Sequence, residues 1–127
     1  MLNLHESSEM YLETIYILSQ DSDMVHSTDV AAYMGYSKPS VSRAVGLLKQ
    51  SGLLTMAKNG SLQLTDSGCA AARKIFERHT ILSQFLTLIG VNTDIAAQDA
   101  CKIEHIISDE TIDAIKIFIK KSEESRN

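Results

Sequence analysis

Two short segments of helical periodicity, joined by Gly35-Tyr36-Ser37, constrain this chain more than anything else in it. Val30, Ala31 and Met34 are the apolar positions of the first segment; Val41, Val45 and Leu48 are those of the second. Ala31 lies four residues before Gly35 and Val41 six after it. A small residue lets two helices approach closely, glycine suits the tight turn, and a β-branched residue fills the seam. Ser27 is expected to cap the first helix, with Asp29 favourable in its first turn. Ser37 is expected to cap the second, with Pro39 where a missing N–H costs little.

The flanking sequence extends the pattern. A helix is predicted over about Ser8 to Ser19, with Tyr11, Ile15 and Leu18 on one stripe. After a stop near Gly52, Leu53 to Ala57 and Ser61 to Leu64 read as strands around Lys58-Asn59-Gly60. Asn-Gly signals a hairpin because both residues tolerate the positive φ of a tight turn. Thr65 then caps a long helix whose stripe is Ala71, Ile75, Leu82, Phe85 and Ile89, ending at Gly90. Thr93 caps a further helix to about Ile107, and Ser108 caps the last, with Ile112, Ile115 and Ile119 on its apolar face and Lys120 and Lys121 towards its end. The expected fold is mostly α: a winged helix-turn-helix over residues 1–66 and a helical domain over 67–127, too apolar on one face to stand without a second copy.

Length and composition suit one compact soluble unit, or a small domain with a helical extension. No apolar run is long enough to span a bilayer and the N-terminus has no signal-peptide pattern. Two cysteines, Cys69 and Cys101, without such a signal argue for a reducing cytoplasm rather than a disulfide framework. The net charge of −4 disfavours nucleic acid until it is mapped: no acid occurs between Asp29 and Asp66, a stretch holding Lys38, Arg43, Lys49 and Lys58.

The second helix of the turn motif exposes Ser37, Lys38, Ser40, Ser42 and Arg43 near its start. Its N-terminal end suits the major groove of double-stranded DNA, with Arg43 able to pair bidentately with guanine and Lys38 and the hydroxyls to hold phosphates. Lys58 and Asn59 at the hairpin tip suit the flanking backbone or minor groove. The plainer alternative is a helical hairpin with a solvated polar face.

A second constellation is Cys101, Glu104 and His105, which fall at i, i+3 and i+4 of a helix and so share one face. Thiolate, carboxylate and imidazole together suit a divalent first-row metal. Met10 and Glu13 offer a thioether and a carboxylate three residues apart on the first helix, and His79 is a further candidate. The plainer readings are a small buried hydrophobe for the cysteine, core filler for Met10 and a surface residue for His79. The spacing is not that of a structural zinc finger. No nucleophile-and-base pair or Gly-rich phosphate loop argues for an enzyme.

Three runs, Ser8-Glu9-Met10-Tyr11-Leu12-Glu13-Thr14-Ile15-Tyr16, Ser37-Lys38-Pro39-Ser40-Val41-Ser42 and Cys101-Lys102-Ile103-Glu104-His105, resemble the diphtheria toxin repressor and manganese transport regulator family of iron-dependent repressors. Ser108-Asp109-Glu110 fits as well, and the similarity runs in order over nearly the whole chain. The resemblance implies a homodimeric transcriptional repressor of iron or manganese homeostasis genes, with an N-terminal winged helix on DNA, a helical dimerisation domain and metal between the first helix and that domain. It implies Met10, Cys101, Glu104 and His105 as the primary metal site of the iron-responsive branch, and Ser37, Pro39 and Arg43 at DNA. Glu13 matches a ligand of the manganese branch, where carboxylates stand in place of Met10 and Cys101. His79 matches a second-site ligand, but Ser83 and Ala97 replace further ligands of the longer iron repressors. A two-metal site using Glu13 and His79 stays open, Arg43 replaces a usual glutamine, and the SH3-like third domain of the longer repressors is not expected.

Soft ligands favour Fe2+ over Mn2+, with Co2+, Ni2+ and Zn2+ able to compete in a test tube. The expected partners are a palindromic operator and a second copy of the chain, with no membrane. The rival is a winged-helix regulator that senses a small organic ligand or thiol oxidation.

Overall fold

The structure, a computed structural model, describes residues 4–125, with side chains from Ser8 onward. It divides into two compact units, Met1–Lys74 and Ile75–Asn127. The first unit holds helices α1 (Leu4–Asp21), α2 (Ser27–Met34) and α3 (Lys38–Gln50), strands β1 (Leu54–Met56) and β2 (Leu62–Leu64), and the first turns of α4 (Asp66–Leu88). The rest of α4, α5 (Thr93–Ile103) and α6 (Asp109–Ser125) make the second.

An eight-residue helix such as α2 is too short to stand on propensity alone. It is held by packing: α1 lies on α2, α3 and β2, and α3 also lies on β1. Ile15, Val30 and Val41 are wholly buried in this unit, and Ala31 is buried as the close approach of the two helices requires. Gly35 sits at φ +71 after α2, and the N–H groups of Gly35 and Tyr36 both donate to the Ala31 carbonyl. Any side chain at that φ would be strained.

Two helix starts differ from the sequence expectation by one residue. His26, not Ser27, is the N-cap of α2, because the Asp29 carboxylate reaches back to accept from the His26 N–H at 2.8 Å. Asn92, not Thr93, caps α5, its side-chain oxygen accepting from Asp94 N and Ile95 N. Ser37 caps α3 as expected, accepting from Ser40 N at 3.3 Å, and Ser108 accepts from Thr111 N at the head of α6. Thr65 likewise accepts from Gly68 N at the head of α4. The first helix runs longer than the periodicity predicted, from Leu4 to Asp21. In α4 the buried small residue is Ala72 rather than Ala71, and Ile89 is exposed.

The wing is an antiparallel pair with Leu54 opposite Leu64 and Met56 opposite Leu62. Its turn is not the two-residue kind that Asn-Gly suggests. Ala57 N donates to Ser61 O and Gly60 N to Ala57 O, and only Gly60 has positive φ, at +87. This is a three-residue loop with glycine in the left-handed position. Val25 adds a bridge to Leu62 that the sequence did not signal, Leu62 N donating to Val25 O at 2.7 Å.

Gly68, in the first turn of α4, packs directly against the Leu53 carbonyl: a Cβ there would lie 2.0 Å from that oxygen. The same carbonyl accepts from Thr65 N at 3.1 Å, so the strand end cannot withdraw without losing that bond. Gly68→Ala is expected to destabilise the first unit by about 1–3 kcal/mol, the usual range for overpacking. Urea unfolding followed by circular dichroism, with unchanged slope and a lower midpoint, is the check.

Candidate metal centre and DNA-binding surface

The helical spacing of Cys101, Glu104 and His105 is not kept as a single helix face. α5 ends at Ile103, with Glu104 as its C-cap and His105 and Ile106 in the turn that follows. Breaking the helix there separates the three by environment: Cys101 is exposed, whereas Glu104 is 0% exposed and His105 is 6% exposed.

Glu104 sits between two imidazoles. His79 Nδ1, from α4, lies 3.2 Å from Oε2, and His105 Nε2 lies 3.2 Å from Oε1. Neither carboxylate oxygen accepts a hydrogen bond. A buried carboxylate left so is costly unless a cation compensates it. Cys101 completes the set: one ligand atom each from His79, Cys101 and Glu104 lie within 4.8 Å of one another. Nitrogen, sulfur and oxygen donors converging at that distance fit a divalent first-row ion. His79, which the sequence alone left between ligand and surface residue, is half-buried and belongs to this cluster. Neither cysteine forms a disulfide. Met10 and Glu13 lie on α1 in the first unit, Met10 half-buried and Glu13 buried.

On the first unit, Ser37, Lys38, Pro39, Ser40, Ser42 and Arg43 are all exposed at the start of α3, and Lys58 and Asn59 are exposed at the wing tip. Between them lies a tie: His26 Nε2 is 3.2 Å from the Asn59 carbonyl, and Asn59 Nδ2 is 3.7 Å from Met24 Sδ. Behind α3, the Tyr36 ring leans on Tyr11 of α1 at 5.9 Å between centroids. Burial, and after it the neighbouring Tyr36, hold the Tyr11 phenol above its ordinary range, so it stays protonated.

A winged helix whose α3 start is open and polar, in one chain with converging candidate metal donors, fits a metal-dependent DNA-binding transcriptional regulator. The comparisons agree. Residues 3–62 match the iron dependent repressor N-terminal DNA binding domain, and residues 65–126 match the iron dependent repressor metal binding and dimerisation domain. The chain belongs to the iron dependent repressor family. Transcriptional regulator MntR of Escherichia coli is 36% identical over 111 residues, 87% of this chain and 72% of that one. The diphtheria toxin repressor of Corynebacterium diphtheriae is 33% identical over 111 residues, and the match spans 49% of its length. A solved manganese-dependent transcriptional repressor in complex with manganese superposes with a TM-score of 0.82 at 29% identity, over 89% of this chain and 52% of that one. The family consists of transcriptional regulators, and no helix among the described residues is long and apolar enough to cross a membrane.

Glu104→Gln tests the reading of the buried carboxylate. The metal-free variant should unfold at the same temperature as the parent or higher, since an amide replaces a charge without donors. Its affinity for Mn2+ or Co2+ should fall by roughly tenfold or more. Calorimetry in chelator and metal titration read the two effects separately.

Proposed function

We propose that this chain represses iron or manganese homeostasis genes by binding a palindromic operator as a homodimer when loaded with Fe2+ or Mn2+. The observation that carries the reading is the convergence of His79, Cys101 and Glu104, with Glu104 buried and without donors. His105 joins them through its approach to Glu104. Met10 and Glu13 are the further ligands we assign, on their spacing along α1 and on the family resemblance. The thiolate of Cys101 and thioether of Met10 favour Fe2+, while a relative solved with manganese supports Mn2+. The bound ion supplies a cross-link among these donors. The division of labour we assign is DNA binding to residues 1–66 and metal binding and dimerisation to 67–127. The protein works in the cytoplasm, where chromosomal operators lie.

At DNA, Arg43 reads a base edge, while Ser37, Lys38, Pro39, Ser40 and Ser42 seat α3 in the major groove. Lys58 and Asn59 hold the flanking backbone. Coupling to metal follows from linkage: loading favours the DNA-competent arrangement only to the extent that the ligands bind the ion more tightly in it.

The deciding experiment is anaerobic retention of genomic fragments by the full chain with Fe2+, Mn2+, Zn2+ or chelator, followed by sequencing. Palindromic fragments held only with metal are expected; equal retention in chelator overturns the metal switch. Cys101→Ala and His105→Ala should each abolish the metal dependence. On the operator so found, Arg43→Ala should cost about 1–3 kcal/mol and relax specificity at one position, whereas Lys58→Ala should weaken all sequences alike and reduce the salt slope by about 1.

A further inference from the structure

Two of the candidate metal donors of the second unit, Glu104 and His105, lie in one short piece of chain, the turn from Glu104 to Ile107 between α5 and α6. Arg78 holds that turn at both ends. Its Nη1 donates to the Glu104 carbonyl at 3.1 Å and to the Ile107 carbonyl at 2.9 Å, and its Nη2 donates to the Asp109 carboxylate at the head of α6. The side chain is only 15% exposed. A planar fork of donors makes such a three-point grip possible, and a lysine ammonium on its flexible stem does not reproduce it. The positive charge also lies at the C-terminal end of α5, where helix carbonyls lack partners.

What Arg78 leaves alone is equally informative. A guanidinium near a buried carboxylate ordinarily pairs with it, often bidentately. Here Arg78 takes the backbone carbonyl of Glu104, and neither side-chain oxygen of Glu104 accepts a hydrogen bond. The ligand is fixed by its backbone while its carboxylate stays directed at His79 and His105. Arg78 is also the residue before His79, so one step along α4 supplies both the clasp and a donor.

We infer that Arg78 is a positioning residue for the metal: its fork, rather than its charge, presets the spacing of Glu104, His105 and His79, and so sets affinity and coordination geometry. The inference rests on the metal reading above. The test is an anaerobic Co2+ titration of the full chain and of Arg78→Lys. It reads chelator-competed affinity, the thiolate charge-transfer and d–d absorption of bound Co2+, and amide hydrogen exchange of residues 104–109 without metal. Arg78→Lys should bind roughly tenfold or more weakly. It should also show an altered d–d envelope and faster exchange at 104–109, with the far-ultraviolet circular dichroism of the parent. Unchanged affinity and spectrum overturn the inference, even if stability falls, because a merely structural role would move stability alone. A parent protein without a Cys101-dependent charge-transfer band overturns the metal reading itself. Should Arg78→Lys fail to fold, Asp109→Asn loosens only one point of the clasp. Weaker binding with a shifted spectrum then supports the inference, and unchanged values overturn it.

Discussion

A carboxylate taken wholly out of water must be compensated, and the second unit is built around one. Glu104 is 0% exposed, with an imidazole nitrogen 3.2 Å from each oxygen and no hydrogen bond to either. A divalent cation held among these groups would compensate the carboxylate, and Cys101 would bring it a further donor. Much else in the unit follows from placing this one group. α5 stops at Ile103 instead of carrying Glu104 around its surface, and Arg78 grips the carbonyls of Glu104 and Ile107 in the turn that follows. Around it, Leu82, Ala100 and Ile112 form a small buried core, with Ile81, Ile103, Ile107 and Ile115 packed against them.

The proposed DNA surface and the proposed metal site ask for opposite charge, and the chain separates them in sequence. The exposed start of α3 and the wing tip come from the stretch free of Asp and Glu. The net charge of −4 is therefore a poor guide to partner. Local balance decides what a surface attracts once separations exceed a Debye length of about 8 Å in physiological salt.

The helix-turn-helix was legible because its signals are local: Gly35, Ser37 and the small Ala31 each act within a turn or two of themselves. The wing was half legible. Asn59-Gly60 announced a hairpin, but whether Asn59 or only Gly60 takes positive φ depends on the strand pairing, in which Val25 also joins. The caps at His26 and Asn92 were missed because a helix start is chosen by competition among neighbouring oxygens, and Asp29 reaching back settled the first. At the metal centre the residue types were readable while their arrangement was not. Periodicity placed Cys101, Glu104 and His105 on a continuing helix; the helix breaks after Ile103, and the turn that follows is bonded to Arg78, twenty-six residues away from Glu104 in sequence. Gly68 was overlooked for the same reason, since nothing near it in the chain discloses that Leu53 lies against it.

The contact between His26 and the Asn59 carbonyl joins the start of α2 to the tip of the wing. Hairpin tips are ordinarily the loosest part of a winged helix, and ordering one on a ligand costs entropy at the moment of binding. Here the tip is tied to the start of α2 before any ligand arrives, so on the proposed DNA reading less of that cost falls on binding. A wing so held would favour sites of one groove width and curvature, and preference would extend to bases that no side chain touches, through how readily the DNA adopts that shape.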